Sequence, residues 1–302
     1  MKLRTIKFVS EKERLAQIRA LPLYTHPSAF MWKESLSIVN QFCDAVVRAG
    51  YLSYEQMFSA ACRYCIGASK LGGVIFWQID HEGRVHDGKV MYYLPDCHRN
   101  KNAHPTWVSA LLAKRRETAM ARTKGLSPLT MNREPLTKNH SSHCLFGLHL
   151  LMNVKNDNVN DNENDNDNQQ PMFNAQWSMV NEKSFQLLSP VAIVEAEKSA
   201  FILSELYPEY IWLATGGLNE VQPEKFRPLQ GHKVVMFPDT DPNGIAFKLW
   251  SKAAREVMRS VFWETSPPIR VSPILELNAT EEQKQRKIDL VDYYFEKNEN
   301  NG

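Results

Sequence analysis

The chain has 302 residues, of which 43% are apolar and 23% charged, and its formal net charge is +2. These values fit a globular protein of one or two domains and exclude the overall basic character that by itself demands nucleic acid. No run approaches the roughly 18 consecutive apolar residues of a spanning helix, and Met1-Lys2-Leu3-Arg4 does not open a signal peptide, so the sequence predicts a cytoplasmic protein without a membrane partner.

In chain order, Ser10–Ala20 reads as a short helix capped by Ser10, with Leu15, Ile18 and Leu21 on one face. Glu34–Tyr51 follows as a firmer helix, carrying Leu36, Val39, Phe42, Val46 and Val47 at helical spacing. A second helix is expected over Tyr54–Tyr64, with Met57, Ala61 and Tyr64 inward. Cys62-x-x-Cys65 near its end reads as buried core thiols, or as half of a zinc site completed by Cys97 and His98. The five cysteines are odd in number and scattered, which fits reduced thiols.

Gly73–Asp80 and Gly88–Leu94 read as two strands of a hairpin joined at His81–Arg84, their aromatic residues Phe76, Trp77, Tyr92 and Tyr93 packing the sheet or offering faces to bases. Trp107–Met120 has helical character. Between Arg84 and Lys138 there are eleven Lys/Arg against four Asp/Glu. Lys114, Arg115 and Arg116 read either as a solvated helix face or as phosphate contacts, and Arg99, Lys101, Arg122 and Lys124 extend the same basic segment. Ser142–Leu151 is compact and apolar. Asn156–Gln170 is an Asn/Asp run too polar to bury a core, so disorder is expected there. It lacks the glycine and glutamate spacing of a calcium loop.

The C-terminal part alternates strand and helix: strands at Val191–Val194, Tyr210–Ala214, Val234–Phe237 and Ile269–Ile274, and helices at Lys198–Leu206, Pro223–Leu229 and Ile245–Phe262. A charged helix over Glu281–Tyr294 closes the series. This pattern predicts an α/β fold with a mostly parallel sheet flanked by helices, preceded by a smaller α+β domain with a β-hairpin. The expected boundaries are 1–152, a linker at 153–176, and 177–297.

Acids stand at the C-terminal ends of two of these strands, where open α/β sheets bind ligands. Glu195 follows Val191–Val194. Asp239 and Asp241 follow Val234–Phe237, and extended geometry sends both to one side. Three carboxylates from neighbouring strands suit one or two Mg²⁺ ions, or Mn²⁺. Glu195 alternatively serves as general acid or base. The plainer account is a turn at Asp-x-Asp-Pro-Asn-Gly and a helix-dipole acid at Glu195. Glu197, Lys198 and the Gly216-Gly217 turn lie around these acids as supporting residues.

These residues resemble a Toprim domain, the fold shared by bacterial-type primases, topoisomerases and some nucleases. The resemblance rests on an apolar strand ending in Glu195 (with Ala196 where the family usually has Gly), on Phe237-Pro238-Asp239-Thr240-Asp241, and on Asp289-Leu290-Val291-Asp292-Tyr293, which is similar to a late primase-type element. The stretches Phe76–Asp80, Gly88–Tyr92, Cys144–Leu151 and Ile211–Gly217 also resemble a Bacteroidetes family of Toprim-bearing, primase-like proteins of the mobile-element type. The resemblance implies Glu195 as the catalytic or metal-linked glutamate, Asp239 and Asp241 as Mg²⁺ ligands, and Asp289 and Asp292 in support. It implies a nucleotidyltransferase acting on DNA in replication, with a single-stranded template, NTPs and a replicative helicase as partners. The alternatives are a Mg²⁺-dependent nuclease and a non-catalytic nucleic-acid-binding module. No Cys-x-x-Cys pair precedes Cys62, so the zinc ribbon of primases is expected to be missing.

Overall fold

The computed structural model describes residues 35–123, 143–152, 189–262 and 266–299. The expected helix at Ser10–Ala20, the Asn/Asp run, Lys124 and the linker lie outside these residues.

The first helix, α1 (Gln41–Arg48), is shorter than the periodicity predicts. Asn40 ends the extended segment before it, its side chain accepting the Cys43 N–H at 2.9 Å. Leu36 pairs instead with Gly67 in a β-bridge, and Val39 is 78% exposed rather than on a helix face. A cap that satisfies an orphan N–H sets the helix start more sharply than apolar spacing does. The second helix, α2 (Tyr54–Arg63), has the expected extent, a Ser53/Gln56 capping box, and Met57, Ala61 and Tyr64 buried.

Four antiparallel strands follow in the order β1-β2-β3-β4: Gly67–Ala68, Val74–Ile79, Val85–Met91 and Thr106–Trp107. The hairpin turn between β2 and β3 is held by Asp80. Its carboxylate accepts the backbone N–H groups of Glu82 and Arg84, both at 2.9 Å, and the Arg84 Nε at 2.7 Å. Phe76, Trp77 and Tyr93 are buried, so they pack the sheet. Cys65 and Cys97 are buried in separate apolar clusters, and His98 is exposed. Helix α3 (Val108–Thr123) carries Lys114 and Arg115 on its exposed side and includes Arg116 and Arg122.

The second sheet is parallel, in the order β6-β5-β7-β8: Ile211–Ala214, Val191–Val194, Val234–Phe237 and Arg270–Val271. The molecule is therefore mixed α/β, with an antiparallel hairpin sheet preceding a helix-flanked parallel sheet. Every residue of β5 is buried, as expected for a central parallel strand covered on both faces. Ala192 and Val194 face one apolar cluster, and Val191 and Ile193 face the other. Helix α4 (Glu197–Leu206) links β5 to β6, and a 3-10 segment (Pro223–Leu229) lies between β6 and β7. Helix α5 (Ile245–Ser260) buries Ala246, Trp250, Ala254 and Val257. The last expected strand is reduced to two residues, because Pro273 opens α6 (Ile274–Asn278). The closing helix is split into α7 (Glu281–Arg286) and α8 (Leu290–Glu299), with Lys287 in a left-handed conformation at the break.

The two sheets share one core. Phe42 and Phe76 from the first half pack in the same cluster as Val194, Phe201 and Trp212 from the second. The Tyr64 hydroxyl donates to the Trp212 carbonyl at 2.8 Å. Phe146 exchanges backbone hydrogen bonds with Ala214 on the outer side of β6, at 2.9 and 3.1 Å. Gly147 makes this approach feasible. Its φ is +83°, and a Cβ there would stand 2.9 Å from the Tyr64 ring and 3.0 Å from the Trp212 carbonyl.

Candidate functional site

The strand order places β5 between β6 and β7. The chain leaves β5 for β6 on one side and returns across it to β7 on the other. The carboxyl ends of β5 and β7 therefore flank a topological switch point, where open sheets form a crevice. Glu195 follows β5 directly, and Asp239 lies two residues past β7.

Glu195 is held by the Gly-Gly turn after β6. The Gly216 N–H donates to its carbonyl at 2.9 Å. Burial raises its pKa. The neighbouring Glu197 and Asp289 add to the rise, while Leu218 and Lys89 oppose it. Asp239 is shifted further in the same direction, well above the ordinary aspartate value. Burial is the largest cause, followed by the charges of Asp289, Glu195 and Asp292, with Lys198 working against them. Neither Glu195 nor Asp239 makes an ion pair among the described residues.

The supporting acids are neutralised. Glu197, only 2% exposed in the first turn of α4, takes the Lys89 ammonium on both oxygens, at 3.0 and 3.1 Å. The same ammonium donates to the Gly216 carbonyl at 2.8 Å. Gly216 has φ +87°, and a Cβ there would stand 3.1 Å from Glu197 Oε1, so the turn and the ion pair interlock. Lys89 is on β3, in the other sheet. Sequence reading missed it, because a lone lysine inside a strand carries no local signal.

Lys198, the residue after Glu197, lies 3.7 Å from Asp289 and 3.7 Å from Asp292. Burial works against its charge, but the two aspartates outweigh burial and raise its pKa. Asp289 also accepts the Ser199 hydroxyl at 2.6 Å and the Asp292 N–H at 2.9 Å. Burial disfavours its charge, yet Lys198 and these bonds hold its pKa below the usual aspartate value. Burial and the neighbouring Asp289 raise Asp292. The Thr240 N–H donates to the Ile288 carbonyl at 3.1 Å, and this bond joins the loop after β7 to the start of α8.

Asp241 has a different setting. Its carboxylate accepts the N–H groups of Asn243 (2.9 Å) and Ala246 (2.7 Å), and such backbone bonds hold its pKa below the ordinary value despite a burial cost. The strand pairing ends at Phe237 and the chain turns at Pro242 and Asn243. Asp239 joins Glu195, Asp289 and Asp292 electrostatically, whereas Asp241 closes the first turn of α5.

Five carboxylates thus gather here against two ammonium groups, and the two without an ion pair among the described residues are Glu195 and Asp239. Their oxygens are hard donors of the kind Mg²⁺ or Mn²⁺ takes, and such an ion commonly needs only one or two protein carboxylates. Among the described residues no group of three or more His, Cys, Asp or Glu side chains is placed to hold a metal ion. Arg99 and Lys101 are exposed on the loop after β3, in which His98 eases the Asp292 charge. No helix among the described residues is long and apolar enough to cross a membrane.

No curated protein matches the chain. Among solved structures it is similar to the crystal structure of the primase fragment of bacteriophage T7 primase-helicase protein, with 15% identity and a TM-score of 0.39 over 93% of this chain and 87% of that one. The family model for a domain of unknown function, DUF6371, matches residues 40–166 and 162–240. The chain belongs to that family.

Proposed function

We propose that this protein is a Mg²⁺- or Mn²⁺-dependent phosphoryl-transfer enzyme acting on nucleic acid, of the Toprim, primase-like kind, with nucleotidyl transfer on a DNA template as its reaction. The observation that carries this reading is the pair Glu195 and Asp239. They are crowded by acids, lack a cation, and sit at the crevice of a parallel sheet. Such an arrangement costs folding free energy and is relieved by a divalent cation. When bound, the ion would supply charge neutralisation at a phosphoryl group. Glu195 and Asp239 would hold it, with Asp289 and Asp292 behind them fixed by Lys198. The raised pKa of Glu195 also suits it to take or give a proton at the attacking or leaving oxygen. Asp241 fixes the loop that presents Asp239.

The test measures Mn²⁺ affinity by electron paramagnetic resonance together with product formation on a labelled strand, with and without NTPs. Asp239→Asn and Glu195→Gln are expected to weaken Mn²⁺ binding by at least the roughly tenfold that loss of an outer-shell partner already costs a metal site, and to abolish product. Wild-type affinity and product in both variants would sink the proposal. Product without NTPs would replace synthesis by strand cleavage at the same site.

A further inference from the structure

Helix α5 carries Lys248, Lys252, Arg255 and Arg259, all exposed, and a single acid, Glu256. At steps of four, three and four residues, the cations form one row on the face opposite Ala246, Trp250, Ala254 and Val257. The row spans about 16 Å at 1.5 Å per residue. It starts one turn into the helix that follows the Asp239 loop, so it leads away from the candidate site. Lys248 donates to the Asn243 carbonyl at 3.2 Å. The side chains of Lys252, Arg255 and Arg259 make no ion pair or hydrogen bond among the described residues. Ordinary solvent-facing surfaces intersperse charges of both signs, and this row does not.

A second feature lies beside the row. Arg255 and Arg259 also line a shallow groove with Met258, Pro268, Ile269 and Val271. The groove runs between α5 and β8, the outermost strand of the parallel sheet, and the exposed Arg270 stands at its edge. A line of free cations along an open apolar trough matches a single nucleic-acid strand. Such a strand presents regularly spaced phosphates on one side and unstacked, partly apolar bases on the other. A duplex hides its bases and offers the trough nothing.

We propose that the α5–β8 face binds the phosphate backbone of a single-stranded nucleic acid, with Lys252, Arg255 and Arg259 as the phosphate contacts. The proposal rests on the nucleic-acid reading above but needs neither the metal nor the reaction. It differs from the basic segment around Arg99–Lys124, which belongs to the first half of the chain.

The experiment follows fluorescence anisotropy of a labelled oligodeoxythymidylate with the full chain over a range of salt concentrations. Each phosphate contact on a single strand contributes about 0.7 to the slope of log affinity against log salt. The triple variant Lys252→Gln/Arg255→Gln/Arg259→Gln is therefore expected to lower that slope by about 2. Its circular dichroism and melting temperature should match wild type, because the three side chains are exposed and unpaired. Binding with an unchanged slope in the triple variant overturns the proposal. So does an equal loss of slope on a duplex of the same length. The titrations are run without divalent cation and with EDTA, where binding to this face should persist, so failure of the metal reading leaves this result standing. Absence of binding by the wild-type protein would remove both this face and the nucleic-acid partner.

Discussion

Asp239 holds its proton more tightly than an ordinary aspartate, because burial and three neighbouring acids oppose its charge. With the folded-state pKa raised, the folded protein binds more protons than the unfolded chain. The associated stability is complete below the usual aspartate range, near pH 4, and is lost as pH rises through the raised value. Asp239→Asn should therefore raise the metal-free melting temperature at pH 7 by a few degrees, and the gain should vanish near pH 4. Mg²⁺ should stabilise the wild type and not the variant. Paired thermal melts across that pH range, with and without Mg²⁺, check the sign. That Glu195 and Asp239 follow the ends of two parallel strands was legible in the sequence, because each apolar run stops abruptly before an acid. Lys89 was not: its partner Glu197 lies 108 residues away, and nothing local marks their meeting. For Asp241 the turn setting was legible too, and the structure shows its carboxylate accepting the Asn243 and Ala246 N–H groups.

Among the elements, α5 depends on Asp241, which accepts two N–H groups at and before its first turn. Asp241→Ala should lower stability by about 1–2 kcal/mol, the usual cost of a lost cap. Asp241→Asn keeps an oxygen for one of the two N–H groups, which Asp241 takes on separate oxygens, and should retain most Mn²⁺ affinity, unlike Asp239→Asn. Equal loss in the two asparagine variants, measured side by side, would make Asp241 a ligand. Element types were largely readable from periodicity, and boundaries less so. The helix expected at Glu34–Tyr51 begins at Gln41 because Asn40 caps it, and Val39 proved exposed. The strand expected at Ile269–Ile274 ends early at Pro273, and the helix at Glu281–Tyr294 breaks at Lys287. In each case one residue's backbone geometry outweighed a longer apolar pattern.

At the scale of the whole molecule, the composition pattern separated an α+β half from an α/β half, and the structure joins their cores. Phe201 of α4 has its ring 5.1 Å from Phe42 and 6.1 Å from Tyr64, both from the first half. Phe201→Ala should cost about 3–5 kcal/mol and loosen both halves together. Denaturant unfolding followed by tryptophan fluorescence and by circular dichroism should give coincident transitions in wild type and variant. A variant whose hairpin sheet outlasts its parallel sheet would contradict a shared core. The joining was illegible beforehand because it depends on which buried faces meet, and every apolar stretch looks alike in that respect.

The strands β5, β6 and β7 are only four residues long, and β5 has no position open to solvent. They therefore act as fixed rulers. What they specify is the number of steps from the last paired residue to the first acid: one from Val194 to Glu195 and two from Phe237 to Asp239. Such a site is more sensitive to phase than to identity. Val194→Ile exchanges one apolar filling for another, whereas a single alanine inserted between Phe237 and Pro238 moves Asp239 out of reach of Glu195 while leaving every side chain in the sequence. The insertion should erase Mn²⁺ binding in a protein that still folds, and the substitution should keep it. Lineages carrying this sheet should accordingly tolerate drift in the strands far better than gain or loss of a single codon at their ends.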